Sequence, residues 1–405
     1  MIEKWRSAYP ETLFWGISLL FILPVFPRES FTSLSVILMG SIWLFGGNWK
    51  VRLQRLKQHI WPVILISSPF LIAVIGYVFR QTETDALALK TKLPFFVVGV
   101  ILSTVSISKN TFFRCLQILV WSVFVSTGLA IAKLLYFKFN HLGGSFYYDD
   151  FARFLDKQAS YYSVYVVVCW CYLLYDLLRL RKWKVWLNIG FQIFMAFLLI
   201  VLSVRISIVA FGAGAIVLLI SWMRQTPKRK WTVWLIPALL AIYAIGTVNS
   251  PNFQKRFHSV NELGEPYQNE LTVRTLHWKA VWQTINSHSF LVGYLYEDPY
   301  PGLFDRYKAL GFKQGYLNKY NAHNQYLESM LCYGVVGLMV LLLLIAYPLF
   351  IAIKRKDGLS VALLLVFAIY MITESLLQRL SGIHIMAVVL TMMLNVDVKK
   401  PGLKQ

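Results

Sequence analysis

Apolar runs long enough to cross a hydrocarbon core recur from one end of this 405-residue chain to the other, and that recurrence restricts the fold more than any other feature. A bilayer interior about 30 Å thick needs roughly 20 helical residues at 1.5 Å each, and about twelve runs approach that requirement. The first six centre on residues 13–26, 31–45, 61–79, 93–107, 116–137 and 161–178. The second six centre on 186–204, 206–223, 231–248, 326–353, 359–373 and 383–396. Hydrophobic residues make up 57% of the chain, far above the composition of a soluble domain. The expected fold is therefore an all-α polytopic membrane protein, one transmembrane domain over 1–405. Pro24 and Pro27 punctuate the first two runs, which read as a tight hairpin, and only Val204, Arg205 and Ile206 separate the seventh from the eighth.

Lys and Arg accumulate in loops that stay on the cytoplasmic side. Basic clusters occupy alternate loops, at Lys50 to Lys57, Lys109 and Arg114, Arg179 to Lys184, Arg224 to Lys230, Lys354 to Lys356, and the tail with Lys399, Lys400 and Lys404. Twelve spans put all of them on one side, with both termini cytoplasmic. The long polar insertion at 251–326, between the ninth and tenth spans, then faces outward or into a periplasm. The net charge of +21 is explained by these clusters meeting anionic headgroups, so membrane lipids are expected partners and nucleic acid is not. Cys115, Cys169, Cys171 and Cys332 lie in or beside apolar runs and imply no disulfide scaffold. No cleavable signal peptide is evident.

A few polar residues stand out against this background. Arg205 lies at a junction of two apolar runs, where a guanidinium costs several kcal/mol unless it is paired, lines a polar cavity, or snorkels to headgroups. Arg274 sits within a segment whose Leu271, Trp278, Val281, Trp282 and Ile285 fall near helical spacing, which predicts an amphipathic helix on the membrane surface. His323, in Asn321-Ala322-His323-Asn324-Gln325-Tyr326 at the start of the tenth span, is either structural or a base able to take a proton from a hydroxyl. Asn324 beside it offers hydrogen bonds that fix a tautomer. Glu374, after the eleventh span, either orients that imidazole or pairs with Arg379. Lys92, entering the fourth span with Lys90, is a weaker candidate for a phosphate contact. Asp149 with Asp150, and Glu297 with Asp298, have the oxygen ligands for a divalent metal, yet no His or Cys joins them and solvated acidic turns account for both.

Together these residues resemble the membrane family of O-antigen ligases, O-antigen polymerases and bacterial O-linked oligosaccharyltransferases. The resemblance rests on Leu202-Ser203-Val204-Arg205, on Arg274, on Asn321 through Glu328 leading into Gly334-Val335-Val336-Gly337, and on Thr373-Glu374-Ser375-Leu376. It covers mainly residues 200–385. It implies a C-type integral-membrane glycosyltransferase fold and a sugar chain carried on undecaprenyl diphosphate, without metal or other cofactor. By the same resemblance Arg205 and Arg274 grip the diphosphate and His323 is the general base. Glu374 matches an acidic position of some members.

The leading expectation is a ligase-like enzyme in the inner membrane of a bacterium, moving a glycan onto a lipid A-core acceptor at the periplasmic face. A polymerase that extends the growing glycan from the same donor is the close alternative. A transporter of lipid-linked sugars is the alternative from another class, and would need charges lining a path through the midplane.

Overall fold

The computed structural model describes residues 2–26, 28–179, 185–225 and 270–396. It is an all-α polytopic membrane fold, and among the described residues β-pairing is confined to two isolated bridges. The helices are α1 (Ile2–Ile22), α2 (Ser30–Phe45), α3 (Trp49–Gln58), α4 (Ile60–Arg80), α5 (Glu83–Thr104), α6 (Lys109–Phe139), α7 (Tyr148–Phe154) and α8 (Ala159–Leu178). They continue as α9 (Val185–Leu202), α10 (Arg205–Gln225), α11 (Glu270–Ile285), α12 (Pro299–Ala309), α13 (Lys313–Leu317), α14 (Gln325–Lys354), α15 (Gly358–Thr373) and α16 (Leu380–Asn395). Among them seven are long and apolar enough to span a membrane, or eight if α2 and α3, bent by 117°, form one broken span. Shorter apolar helices at Pro10–Val25, α15 and α16 occupy three more of the expected positions. The expected run at 231–248, and the first part of the insertion, lie outside the described residues.

α8 is the axis of the bundle. Residues Tyr161 through Asp176 are all buried, as expected of a helix apolar on every side. Its polar atoms are tied to each neighbour in turn. Tyr162 meets Ser126 and Thr127 on α6, Ser163 meets Tyr370 on α15, and Tyr165 donates to the Ser381 carbonyl on α16. Such bonds average about 0.6 kcal/mol each in a membrane setting, so they fix register more than they supply stability. Trp170 stacks on Phe211 of α10 at 3.6 Å, and Gly214 lets α10 approach so closely that a Cβ there would sit 2.9 Å from Cys171 Sγ.

The described part of the insertion has its own small core, built by Ala280, Val281, Ile285, Tyr294, Leu303, Tyr307 and Phe312 with Met330 and Leu331 of α14. Of the apolar stripe expected on α11, Val281 and Ile285 are buried in this core. The buried stripe of the helix is His277, Ala280, Val281, Thr284 and Ile285, at helical spacing, and it faces α12 and α14; Trp282 is exposed.

α14 is broken one-third of the way along. Gly334 has φ 61° and ψ −155°, a conformation essentially restricted to glycine. The backbone groups released there are met by residues 290–294, which cross the break. Val335 and Val336 N–H donate to the Phe290 and Leu291 carbonyls, and Tyr294 N–H donates to the Leu331 carbonyl. Arg80, at the end of α4, adds bonds to the Tyr294 and Cys332 carbonyls while Asp85 holds its other side.

Candidate functional site

Four expected residues are brought to one region, Arg274 from within α11 and the other three at separate chain breaks. The first lies between α9 and α10. Ser203 takes φ 50° and its hydroxyl meets Tyr147 OH at 2.8 Å. That break makes Arg205 the first residue of α10, so a guanidinium belongs to the first turn of a helix start. Both favour an anion. Arg205 and Arg274 line the same cavity of 190 Å³, with Ser203, Tyr148, Ser160, Thr373 and Glu374.

The second break is the end of α15. Glu374 takes an extended conformation there, and its N–H closes the helix on the Tyr370 carbonyl. Its carboxylate reaches Arg274 Nη2 at 3.6 Å and His323 Nδ1 at 3.6 Å. Arg274 also donates to the Thr373 carbonyl at 2.5 Å, which fixes the α11 guanidinium to the end of α15. The alternative pairing of Glu374 with Arg379 is absent among the described residues; Arg379 lines other cavities.

The third break is the loop that presents His323. Its φ of 43° is left-handed, a strained state for a side chain with a Cβ. The loop is held on both sides. His323 N–H donates to Asn321 Oδ1, and Asn324 caps α14 by accepting from the Tyr326 and Leu327 N–H groups. Ala322 N–H donates to Glu328 Oε2 at 2.8 Å. Glu328 is 1% exposed, and its other oxygen accepts from Tyr300 OH and Gln378 Nε2. One buried carboxylate thus joins the histidine loop, the insertion and the turn before α16.

Sequence reasoning did not single out Glu328 or His277. His277 is one turn beyond Arg274 on α11, and its ring lies 5.0 Å from that of His323. Tyr307 donates to the Asn321 carbonyl and also meets His277 Nδ1 at 3.1 Å, so Nδ1 carries the proton in this arrangement. Burial, with His323 and Arg274 nearby, pushes the His277 imidazole down to about 3. It is therefore a neutral brace beneath a second, more exposed imidazole.

Residues 190–342 match a family model. That model describes the O-antigen ligase domain. The match spans less than half of the chain and supports its resemblance to O-antigen ligases and polymerases. A comparison with curated proteins finds no match. The O-antigen ligase match includes Arg205, Arg274, His323 and Asn324; Glu374 lies beyond its end and is joined to them by geometry alone. Lys92 lies before its start and is not brought to this cavity. It lines a second one, with Tyr333 and Arg80. The acidic pairs have other employment. Asp149 accepts from Ala159 N–H, Asp150 pairs with Arg153, Glu297 with His288, and Asp298 caps α12.

Proposed function

We propose that this protein is an inverting, metal-independent glycosyltransferase that moves a glycan from undecaprenyl diphosphate to an acceptor hydroxyl at the periplasmic face, with lipid A-core as acceptor. The observation that carries this reading is the chain of contacts from His323 through Glu374 to Arg274, beside the cavity shared with Arg205. A base and two phosphate-binding cations thereby stand on either side of a single carboxylate.

In the proposed reaction the acceptor oxygen forms a bond to the anomeric carbon as that carbon's bond to the diphosphate oxygen breaks. The acceptor proton passes to His323 Nε2. Nδ1 faces Glu374, which holds the ring in one tautomer and stabilises the imidazolium that forms. The departing electron pair settles on the diphosphate, where Arg205 and Arg274 offer paired N–H donors to its oxygens. Direct displacement inverts the anomeric configuration. The two guanidiniums supply the charge stabilisation that a divalent ion provides in other phosphate chemistry.

The experiment is transfer by purified protein from a lipid-linked glycan to lipid A-core. His323→Ala should give no product while still binding donor; product at the wild-type rate would remove His323 from the mechanism. A polymerase would use the same donor and the same residues. In a deletion strain, unmodified core together with polymer held on its lipid carrier identifies a ligase, and core bearing a single unit identifies a polymerase.

A further inference from the structure

A larger cavity of 460 Å³ lies between α4, α5, α12, the break in α14 and the turn before α16, with Asn321 of the histidine loop on its wall. Four basic side chains line it, Arg80, Lys92, Lys319 and Arg379, against two carboxylates, Asp85 and Asp298. Both carboxylates are committed elsewhere. Asp85 holds Arg80 and Thr82, while Asp298 accepts from Tyr300 N–H and Thr84. Among the described residues no carboxylate lies within 4.0 Å of Lys92, Lys319 or Arg379, although the charge of Lys92 is felt by the buried Glu328 carboxylate. Lys92 is only 6% exposed, with its ammonium 5.6 Å from the Tyr333 ring. An ammonium buried to that extent is costly unless an anion joins it.

The cavity also reaches the loop that carries the proposed base. Tyr300 and Gln378 on its wall both bond Glu328, which holds Ala322 N–H next to His323, and Asn321 of the same loop lines the cavity. Leu87 on the α5 wall is strongly exposed, so the wall joins an apolar flank to a basic floor. That combination suits an amphiphile with an anionic head.

We propose that this cavity is the acceptor pocket and that it selects a glycolipid carrying an anionic group, phosphate or carboxylate, close to the attacking hydroxyl. The assignment rests on the glycosyltransferase reading above. Donor and acceptor then approach His323 from opposite sides, and the ligand contacts on the acceptor side are Lys92, Lys319 and Arg379.

The test is binding of lipid A-core, with its phosphates intact or removed, to the full chain in nanodiscs. Wild-type protein should hold the phosphorylated form about tenfold more tightly, the size expected for one hydrogen bond to a charged group. Arg379→Gln and Lys319→Gln, at exposed positions, should each reduce that preference, and Lys92→Gln should abolish it; Arg205→Lys should leave it intact. A uronate-bearing glycolipid without phosphate should bind like the phosphorylated form. Equal binding of the two forms by wild type, or an undiminished preference in the Arg379 and Lys319 variants, overturns the proposal. So does a preference that vanishes when phosphatidylglycerol replaces phosphatidylcholine in the disc, because the cavity is then a site for bilayer headgroups. If the preference holds and follows these residues but wild type forms no glycosidic bond, the pocket stands and the transferase reading fails.

Discussion

Glu374 stands between Arg274 and His323, one oxygen 3.6 Å from the guanidinium and the other 3.6 Å from Nδ1 of the ring. In the proposed displacement, a carboxylate so placed would serve two partners that need it at different moments. Glu374→Gln keeps the shape and loses the charge. We expect kcat to fall about 10²-fold, within the range of a weakened general base, with a smaller change in donor KM. Steady-state kinetics on purified protein measure both, and an unchanged kcat would leave Glu374 with only a packing role.

Arg205 and Arg274 line one cavity from two helices, and each is expected to bind phosphate through its planar fork. Lysine keeps the charge and loses the fork. Arg205→Lys and Arg274→Lys should each cut kcat/KM by at least about tenfold, a loss of about 1.4 kcal/mol in transition-state binding. Undiminished transfer by Arg205→Lys would argue against contact with the diphosphate.

Glu328 is the buried tie of the histidine loop. Glu328→Ala strips the acceptor from Ala322 N–H, Tyr300 and Gln378 at once. Each orphaned buried donor costs about 1–3 kcal/mol, so the variant should unfold several degrees earlier and lose transfer activity. Tyr300→Phe removes only one donor and should be milder on both counts. Thermal unfolding in detergent, followed alongside product formation, separates the two.

His277 gives the fold a definite response to acid. Its imidazole is held neutral down to about 3 in the folded chain, against about 6.5 when unfolded. Between those values the unfolded chain binds a proton that the folded chain refuses, so stability rises with pH across that window. Lowering the pH from 6.5 toward 4 should therefore destabilise the protein by up to about 1.4 kcal/mol per unit. His277→Phe should flatten that part of the curve in unfolding measured as a function of pH. An unchanged slope would show that other groups set it.

The backbone architecture was legible because hydrocarbon thickness imposes a length on every span, and expected runs such as 161–178 and 326–353 coincide closely with α8 and α14. Arg205 was visible because a cation between apolar runs is conspicuous, and His323 because a polar group precedes a long apolar run. Glu328 and His277 were not, since their importance comes from partners distant in sequence: Gln378 is 50 residues from Glu328, and Tyr307 is 30 from His277. Lys92, a weaker candidate for a phosphate contact, lines the second cavity, because sequence position does not tell which side of a loop a helix will take. The partners of the buried face of α11 escaped notice for a related reason. Tryptophans suggest a membrane interface, but the helix had a closer apolar partner in the insertion's own core.

The passage of residues 290–294 over Gly334 also limits how this protein can be engineered or can move. The loop and the broken helix complete one another's hydrogen bonding, and a Cβ on Gly293 would lie 2.5 Å from the Gly334 nitrogen. The insertion is thus stitched into a transmembrane helix and cannot be excised as a soluble module or grafted onto a foreign bundle without unravelling α14. For the same reason it cannot swing upward like a hinged cover near this crossing. The lipid-linked substrates of the proposed reaction are then expected to enter sideways, between helices, from the bilayer.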